Sequence, residues 1–238
     1  IFPASIFLAT VHGENVKEKE ITAELSQYMQ HYYLNPDPNT LPKALENFCR
    51  YKVRGQEFPE GKYNSYAYFF GRAGMSKPAI VLKYLQLFDE VTHSERLFLL
   101  QVLQICKNED MENFFKSRLG IGRYINERNE INQILESTTP GWINPVTKPL
   151  KDTNDIELLW TEFMVSGSED AVIKIINALI PDSSKPESVM VSKAARRSPS
   201  EQFLNQDKVK SICMSQSAKT PAGSEEMRKS PGSRRSLE

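Results

Sequence analysis

The side chains able to do chemistry are few and widely spaced. His12, His31 and His93 are the three histidines, and no two groups stand in the H-x-x-x-H or H-x-x-E relationship that sets two metal ligands on one helical face. No metal site is expected. Cys49, Cys106 and Cys213 are odd in number, far apart and never in a C-x-x-C spacing, which points to neither a disulfide framework nor a zinc centre. A Cys–His nucleophile pair would need one of these thiols beside a histidine in space. Cys49 and Cys106 instead fall on apolar helical faces, where a thiol stays protonated and inert. Glu109-Asp110 and Glu169-Asp170 place carboxylates side by side, but each pair opens a helix and there meets the positive end of its dipole.

Phosphate chemistry fares no better. Gly71-Arg72-Ala73-Gly74 and Gly120-Ile121-Gly122-Arg123 are too short to cradle a phosphate without a preceding strand, and neither a G-x-S-x-G elbow nor a phosphate loop occurs. No catalytic or cofactor-binding residue is nominated. What remains is recognition by aromatic rings. Tyr28, Tyr32, Tyr33, Tyr63, Tyr66, Tyr68, Phe69 and Phe70 run around more of their helices than one buried stripe requires. Core packing explains many of them, while exposed rings would offer contact area to a partner. Tyr28, Tyr32, Tyr66 and Tyr68 are the candidate partner contacts.

The elements that carry these residues read as helices throughout. Ile21, Leu25, Tyr28, Met29, Tyr32 and Tyr33 recur at three- and four-residue intervals, and Asn35-Pro36-Asp37-Pro38 stops that helix. Thr40 is placed to cap the next, with Pro42 in its first turn and Leu41, Ala44, Leu45 and Phe48 facing inward. A loop is expected at Gly55 to Gly61. Thr92-His93-Ser94-Glu95 has capping-box spacing and precedes Leu97, Leu99, Leu100, Val102, Leu103 and Ile105, a run greasy enough for the centre of the core. Asn108 to Leu119 is expected as its hairpin partner, followed by a helix from Tyr124 to Leu135. PGWINPVTKPL, at 140–150, has no helical period and reads as an irregular connection held by Trp142, or as a boundary. No convincing strand pattern occurs.

Two stretches share one construction. Tyr66 to Phe88 and Leu158 to Ile180 each contain an aromatic-rich helix, a break with glycine, a Ser at the start of the next helix (Ser76, Ser168) and a second apolar helix. Glycine in such a break can take positive φ, and the Ser hydroxyl can satisfy an orphaned amide. The matches are of residue class more than identity. They predict an all-α fold of about 9–11 helices stacked as antiparallel hairpins, an irregular α-solenoid with a concave face. The D-x-x-L-L-W-x-x-F run from Asp155 to Phe163, with Tyr-Tyr-Leu-Asn-Pro-Asp-Pro at Tyr32 to Pro38, resembles a pattern in uncharacterised bacterial helical proteins. That resemblance covers about three-quarters of the chain and implies an all-helical, tetratricopeptide-like body; it supplies no reaction, ligand or site. The tail, with Arg196, Arg197 and Pro199, departs from it.

Composition sets the remaining bounds. At 238 residues, 39% hydrophobic and 25% charged, the chain can bury a sizeable core. Its zero net charge averages a body of about −5 and a tail from residue 185 of about +5. Neither excess forms the dense basic face of a nucleic-acid binder. The domain reading is an apolar N-terminal segment at 1–16, a helical-hairpin domain at 17–183, a weakly helical basic extension at 184–215 and a disordered tail at 216–238. Ile1 to Val11 is uncharged and too short to span a bilayer. It reads as the apolar heart of a clipped secretory signal, as an edge of the sequence, or as an element covering the core. A secreted or periplasmic location is favoured over a cytoplasmic one. The expected function is a non-enzymatic helical scaffold holding an unidentified protein or peptide, without cofactor, nucleic acid or transmembrane segment. The alternative is a secreted or translocated bacterial protein acting at a membrane or host partner through its basic tail.

Overall fold

The structure is a computed structural model and describes residues 16–53, 65–137, 143–182, 184, 186–198 and 206–219, with side chains described from 23 to 216 within those ranges. The apolar start with His12, the loop at Gly55 to Gly61, Tyr63, Trp142, Leu204 and the tail from 220 onward lie outside the described residues. Among those described, the fold is all-α, with 11 helices and no strand. Regular stacking of successive hairpins is not shown. The chain divides into two compact units: Glu14–Ile143 with Met164–Ser166, and Asn144–Phe163 with the described residues from Gly167 on. The division at 143/144 falls inside the proline-rich connection.

The first unit begins with α1 (Val16–His31), which passes into a 3-10 turn at Tyr32–Leu34. A second 3-10 turn at Pro38–Thr40 leads to α2 (Leu41–Phe48), which continues as a π turn over Cys49–Val53. Then come α3 (Ser65–Gly74), α4 (Pro78–Glu90), α5 (His93–Ile105), α6 (Glu109–Arg118), a 3-10 segment at Gly122–Glu127, and α7 (Arg128–Glu136). The apolar run of α5 does form the centre: Phe98, Leu99, Leu100, Val102, Leu103 and Ile105 are all buried, against α3, α4, α7 and the π turn. Each such side chain removed from water contributes about 1.5–3 kcal/mol before the entropy of ordering is set against it. Around Phe48, the rings of Tyr66 at 4.4 Å, Phe98 at 5.0 Å and Phe70 at 6.0 Å extend the same core.

Packing corrects the hairpin reading in one respect. The most extensive partner of α3 is α5, not the α4 that follows it, and α6 packs on α4 and α7. Gly71 is the reason. It lies inside α3 rather than in a break, and a Cβ there would meet Ile105 Cβ at 2.7 Å and the Val102 carbonyl oxygen at 2.8 Å. Gly74 is likewise helical, with Tyr84 Cε2 2.8 Å from where its Cβ would be. Bare backbone at Gly71 lets the two helices approach closely.

Some of the local start signals hold and some do not. Glu95 Oε2 accepts hydrogen bonds from the Thr92 amide at 2.7 Å and the Thr92 hydroxyl at 2.5 Å, as the capping spacing requires. Asn108 Oδ1 accepts from the Met111 amide at 2.9 Å and opens α6. Two expected caps are absent. Lys77, not Ser76, precedes α4 and makes no side-chain cap bond; Pro78 occupies the first turn, where its missing N–H leaves one donor fewer to satisfy. Thr40 makes no cap bond to α2; its hydroxyl donates to the Asp37 carbonyl at 2.8 Å.

In the second unit are α8 (Thr153–Ser166), α9 (Glu169–Asn177), α10 (Pro186–Arg197) and α11 (Asp207–Lys219). Here the helix-break-helix reading is met locally. Gly167 ends α8 at φ 67°, a left-handed conformation that favours glycine, and Ser168 Oγ accepts from the Ala171 amide at 3.4 Å to open α9. At the start of α8 the Asp152 carboxylate accepts from the Asp155 amide at 3.2 Å and the Asp155 carboxylate from the Asp152 amide at 3.3 Å. The extension expected to be weakly helical forms two helices. Val191, Ala195, Val209 and Ile212 are buried, α11 packs on α9, and it runs past residue 215 to Lys219.

Candidate functional site

A shallow cavity of about 420 Å³, open to solvent, lies over the last two turns of α1 and is lined by Glu24, Gln27, Tyr28, His31, Tyr32 and Asn35. Spacing on α1 creates it. Positions 24, 27, 28 and 31 stand three and four apart, so they share one helical face, while Leu25 and Met29 turn into the core. The 3-10 turn then carries Tyr32 beneath the same face. Tyr28 and Tyr32 meet edge to face at 5.6 Å, and both rest on Phe69, at 6.3 and 5.4 Å. Tyr28 is half-buried and its hydroxyl pairs with Thr40 Oγ1 at 2.9 Å.

The lining carries one carboxylate, Glu24, and no Lys or Arg. Burial raises the Tyr28 hydroxyl above its ordinary range; the bond to Thr40 opposes that shift and the charge of Asp37 adds to it. Burial, then Tyr28, then Asp37 push Tyr32 up to about 12. Asp37 therefore projects negative potential onto both phenols. His31 Nδ1 lies 2.9 Å from the Gln27 carbonyl oxygen. A carbonyl only accepts, so Nδ1 carries the proton in that bond, and a neutral ring presents Nε2 as an acceptor.

Of the four tyrosines expected to contact a partner, this cavity gathers two. Tyr32 is only 5% exposed and supplies the floor; Tyr28 supplies the accessible ring. Tyr66 and Tyr68 do not line it. Tyr66 is half-buried against Phe48, and Tyr68, 2% exposed, is a core residue in this conformation. The polar rim of Glu24, Gln27, His31 and Asn35 was not singled out from sequence, although its three- and four-residue spacing was the available signal.

A polar network at the other end of the first unit has a more chemical look. Glu127, fully buried, accepts at Oε1 from Arg96 Nε at 2.7 Å and pairs with His93 Nδ1 at 2.7 Å. Carboxylate-oriented imidazoles serve as general bases elsewhere. Here Arg96 shares the same oxygen and neutralises the carboxylate, and the three groups fasten the start of α5 to the 3-10 segment. Beside them Asp89 accepts from Arg118 Nη2 at 2.7 Å and from the Tyr124 hydroxyl at 2.6 Å, while Arg123 donates to its carbonyl. Burial pushes the Asp89 carboxyl up, but these hydrogen bonds and the Arg118 and Arg123 charges outweigh it and hold it below its ordinary value.

In the second unit Lys174 is the feature that sequence reasoning missed. Its ammonium donates to three carbonyl oxygens of the irregular connection, Pro145 at 3.0 Å, Val146 at 2.7 Å and Lys148. Desolvation lowers its pKa, with nearby Asp155 opposing the shift. A single side chain thus anchors a stretch that lacks a helical period. Among the described residues no cluster of His, Cys, Asp and Glu is arranged to hold a metal, and no helix is long and apolar enough to cross a membrane. Comparison with protein-family models, curated proteins and solved structures finds no match for this chain. The resemblance to bacterial helical proteins accordingly goes no further than the all-helical fold.

Proposed function

We propose that this chain is a non-enzymatic, tetratricopeptide-like helical scaffold, which holds a peptide segment of a protein partner on the α1 face. The observation that carries this reading is the cavity over Tyr28 and Tyr32, which combines an aromatic floor with a polar rim. Its open, shallow form suits a chain lying across the surface better than an enclosed small molecule. Aromatic rings give such a surface large contact area at small entropic cost. The two best-defined polar clusters join elements of the fold, Glu127 through its Oε1 and Lys174 through its ammonium, which favours binding over reaction as the role of the molecule.

The test is selection of peptides from a random displayed library on the full chain, followed by affinity measurement on Tyr28→Ala and Gln27→Arg variants. Selected peptides should bind in the micromolar range and lose roughly tenfold on either change. The second variant alters an exposed rim position and leaves the core untouched. Selected peptides whose binding ignores both changes, or a selection that yields none, would remove the reading.

A further inference from the structure

We infer that the residue seated in the Tyr28–Tyr32 cavity is cationic, an arginine or lysine of the bound peptide; this rests on the reading of the cavity as a peptide site. Three independent features agree. The first is the lining, which contains the Glu24 carboxylate and no Lys or Arg. The second is position: the cavity lies at the C-terminal end of α1, whose last turn includes His31. There the aligned peptide dipoles of α1 end in the negative pole of the helix, and a cation is favoured. The third is the tautomer of His31. With Nδ1 committed to the Gln27 carbonyl, a neutral ring offers an acceptor, and the Asn35 side chain and Glu24 offer others. A planar guanidinium, rich in donors and able to stack on a phenol face, matches acceptors around an aromatic floor. Asp37, whose charge is felt by both phenols, adds to the same potential.

The acidic balance of the body over residues 1–184 points the same way, since a basic peptide would be drawn toward it while diffusing. Selectivity, however, comes from the cavity. An anionic residue would meet Glu24 and the pole of α1 together; a neutral aliphatic one would strip water from the polar rim without replacing its hydrogen bonds.

The experiment uses the library-selected peptides on the full chain. Their enriched position should be Arg or Lys, and replacing an arginine there by citrulline, which keeps the shape and removes the charge, or a lysine by norleucine, should weaken binding roughly three- to tenfold. Glu24→Gln should remove a large part of that difference, and so should raised salt. Peptides that bind in a Tyr28-dependent way but carry no basic residue, or tolerate citrulline, would overturn the cation while sparing the peptide site. Failure to select any peptide sensitive to Tyr28→Ala or Gln27→Arg would overturn both.

Discussion

Gly71 and Ile105 face each other where α3 crosses α5, so closely that a Cβ on Gly71 would sit 2.7 Å from Ile105 Cβ. The Gly71 carbonyl also accepts a hydrogen bond from Cys106 Sγ at 3.1 Å. Added bulk must force the central pair of helices apart. Gly71→Ala is expected to cost about 1–3 kcal/mol of stability, read as a lowered denaturation midpoint. Combining it with Ile105→Gly should cost less than the sum of the two changes, because the second removes the Cβ and Cγ2 that the new methyl would meet, although the Val102 carbonyl oxygen stays. Strict additivity would show that the contact is unimportant.

Arg96 neutralises a Glu127 that has no access to solvent. Arg96→Met leaves a buried carboxylate with only His93 at Oε1 and no partner at Oε2, and is expected to destabilise by about 3 kcal/mol. Changing both residues, Arg96→Met with Glu127→Leu, should recover much of this loss in urea denaturation.

Asp89 links stability to pH. Its carboxyl titrates below the ordinary 3.8 in the fold, so its contribution is fully present above that value and is lost as pH falls through the lower folded one. Asp89→Asn should therefore destabilise the fold at neutral pH by on the order of 1 kcal/mol given its partial exposure, read as a lowered melting temperature. The gap between variant and parent should close on acidification below pH ~4. A gap independent of pH would contradict the assigned hydrogen bonds.

Lys174 holds the connection by its backbone. Replacing it with Met removes donors from the Pro145, Val146 and Lys148 carbonyls, and should speed protease cleavage and amide exchange between residues 144 and 151. The expected loss is about 1–3 kcal/mol. Exchange in α4 and α5 should stay unchanged, because those helices belong to the other unit.

The three thiols should separate by reactivity. Burial pushes Cys106 up to about 12 and raises Cys49 and Cys213 as well, but only Cys213 is partly accessible. An aromatic disulfide reagent at about pH 8 should label Cys213 first in the native protein, and Cys49 and Cys106 only after denaturation. Rapid native labelling at Cys106 would be inconsistent with its place beneath Gly71.

Much of the fold is legible in the sequence because helices advertise themselves locally. The apolar run of α5, the Thr92-to-Glu95 spacing and the Gly167-Ser168 break each depend on residues within one or two turns, and each appears as read. Gly71 and Gly74 show where that reading fails. A glycine beside a turn looks the same in sequence whether it breaks a helix or admits a neighbour, and Val102 and Ile105, which decide between the two at Gly71, lie some thirty residues on. The site divides in the same way. An excess of aromatic residues near α1 and α3 is visible in the sequence, but which rings remain accessible is not, since Tyr28 and Tyr68 have similar local patterns and different neighbours.

What the amino-acid sequence determined by itself is the all-α class, the greasy centre at α5, the capped start at Thr92 and the Gly167-Ser168 break. Tertiary structure alone decided that α3 closes on α5, that Lys174 secures the proline-rich connection, and that Tyr28 and Tyr32 share one hollow while Tyr68 is hidden. The reason is range: periodicity and capping chemistry act over one turn, whereas close approach, desolvation and the burial of a ring depend on residues brought together only when the chain has folded.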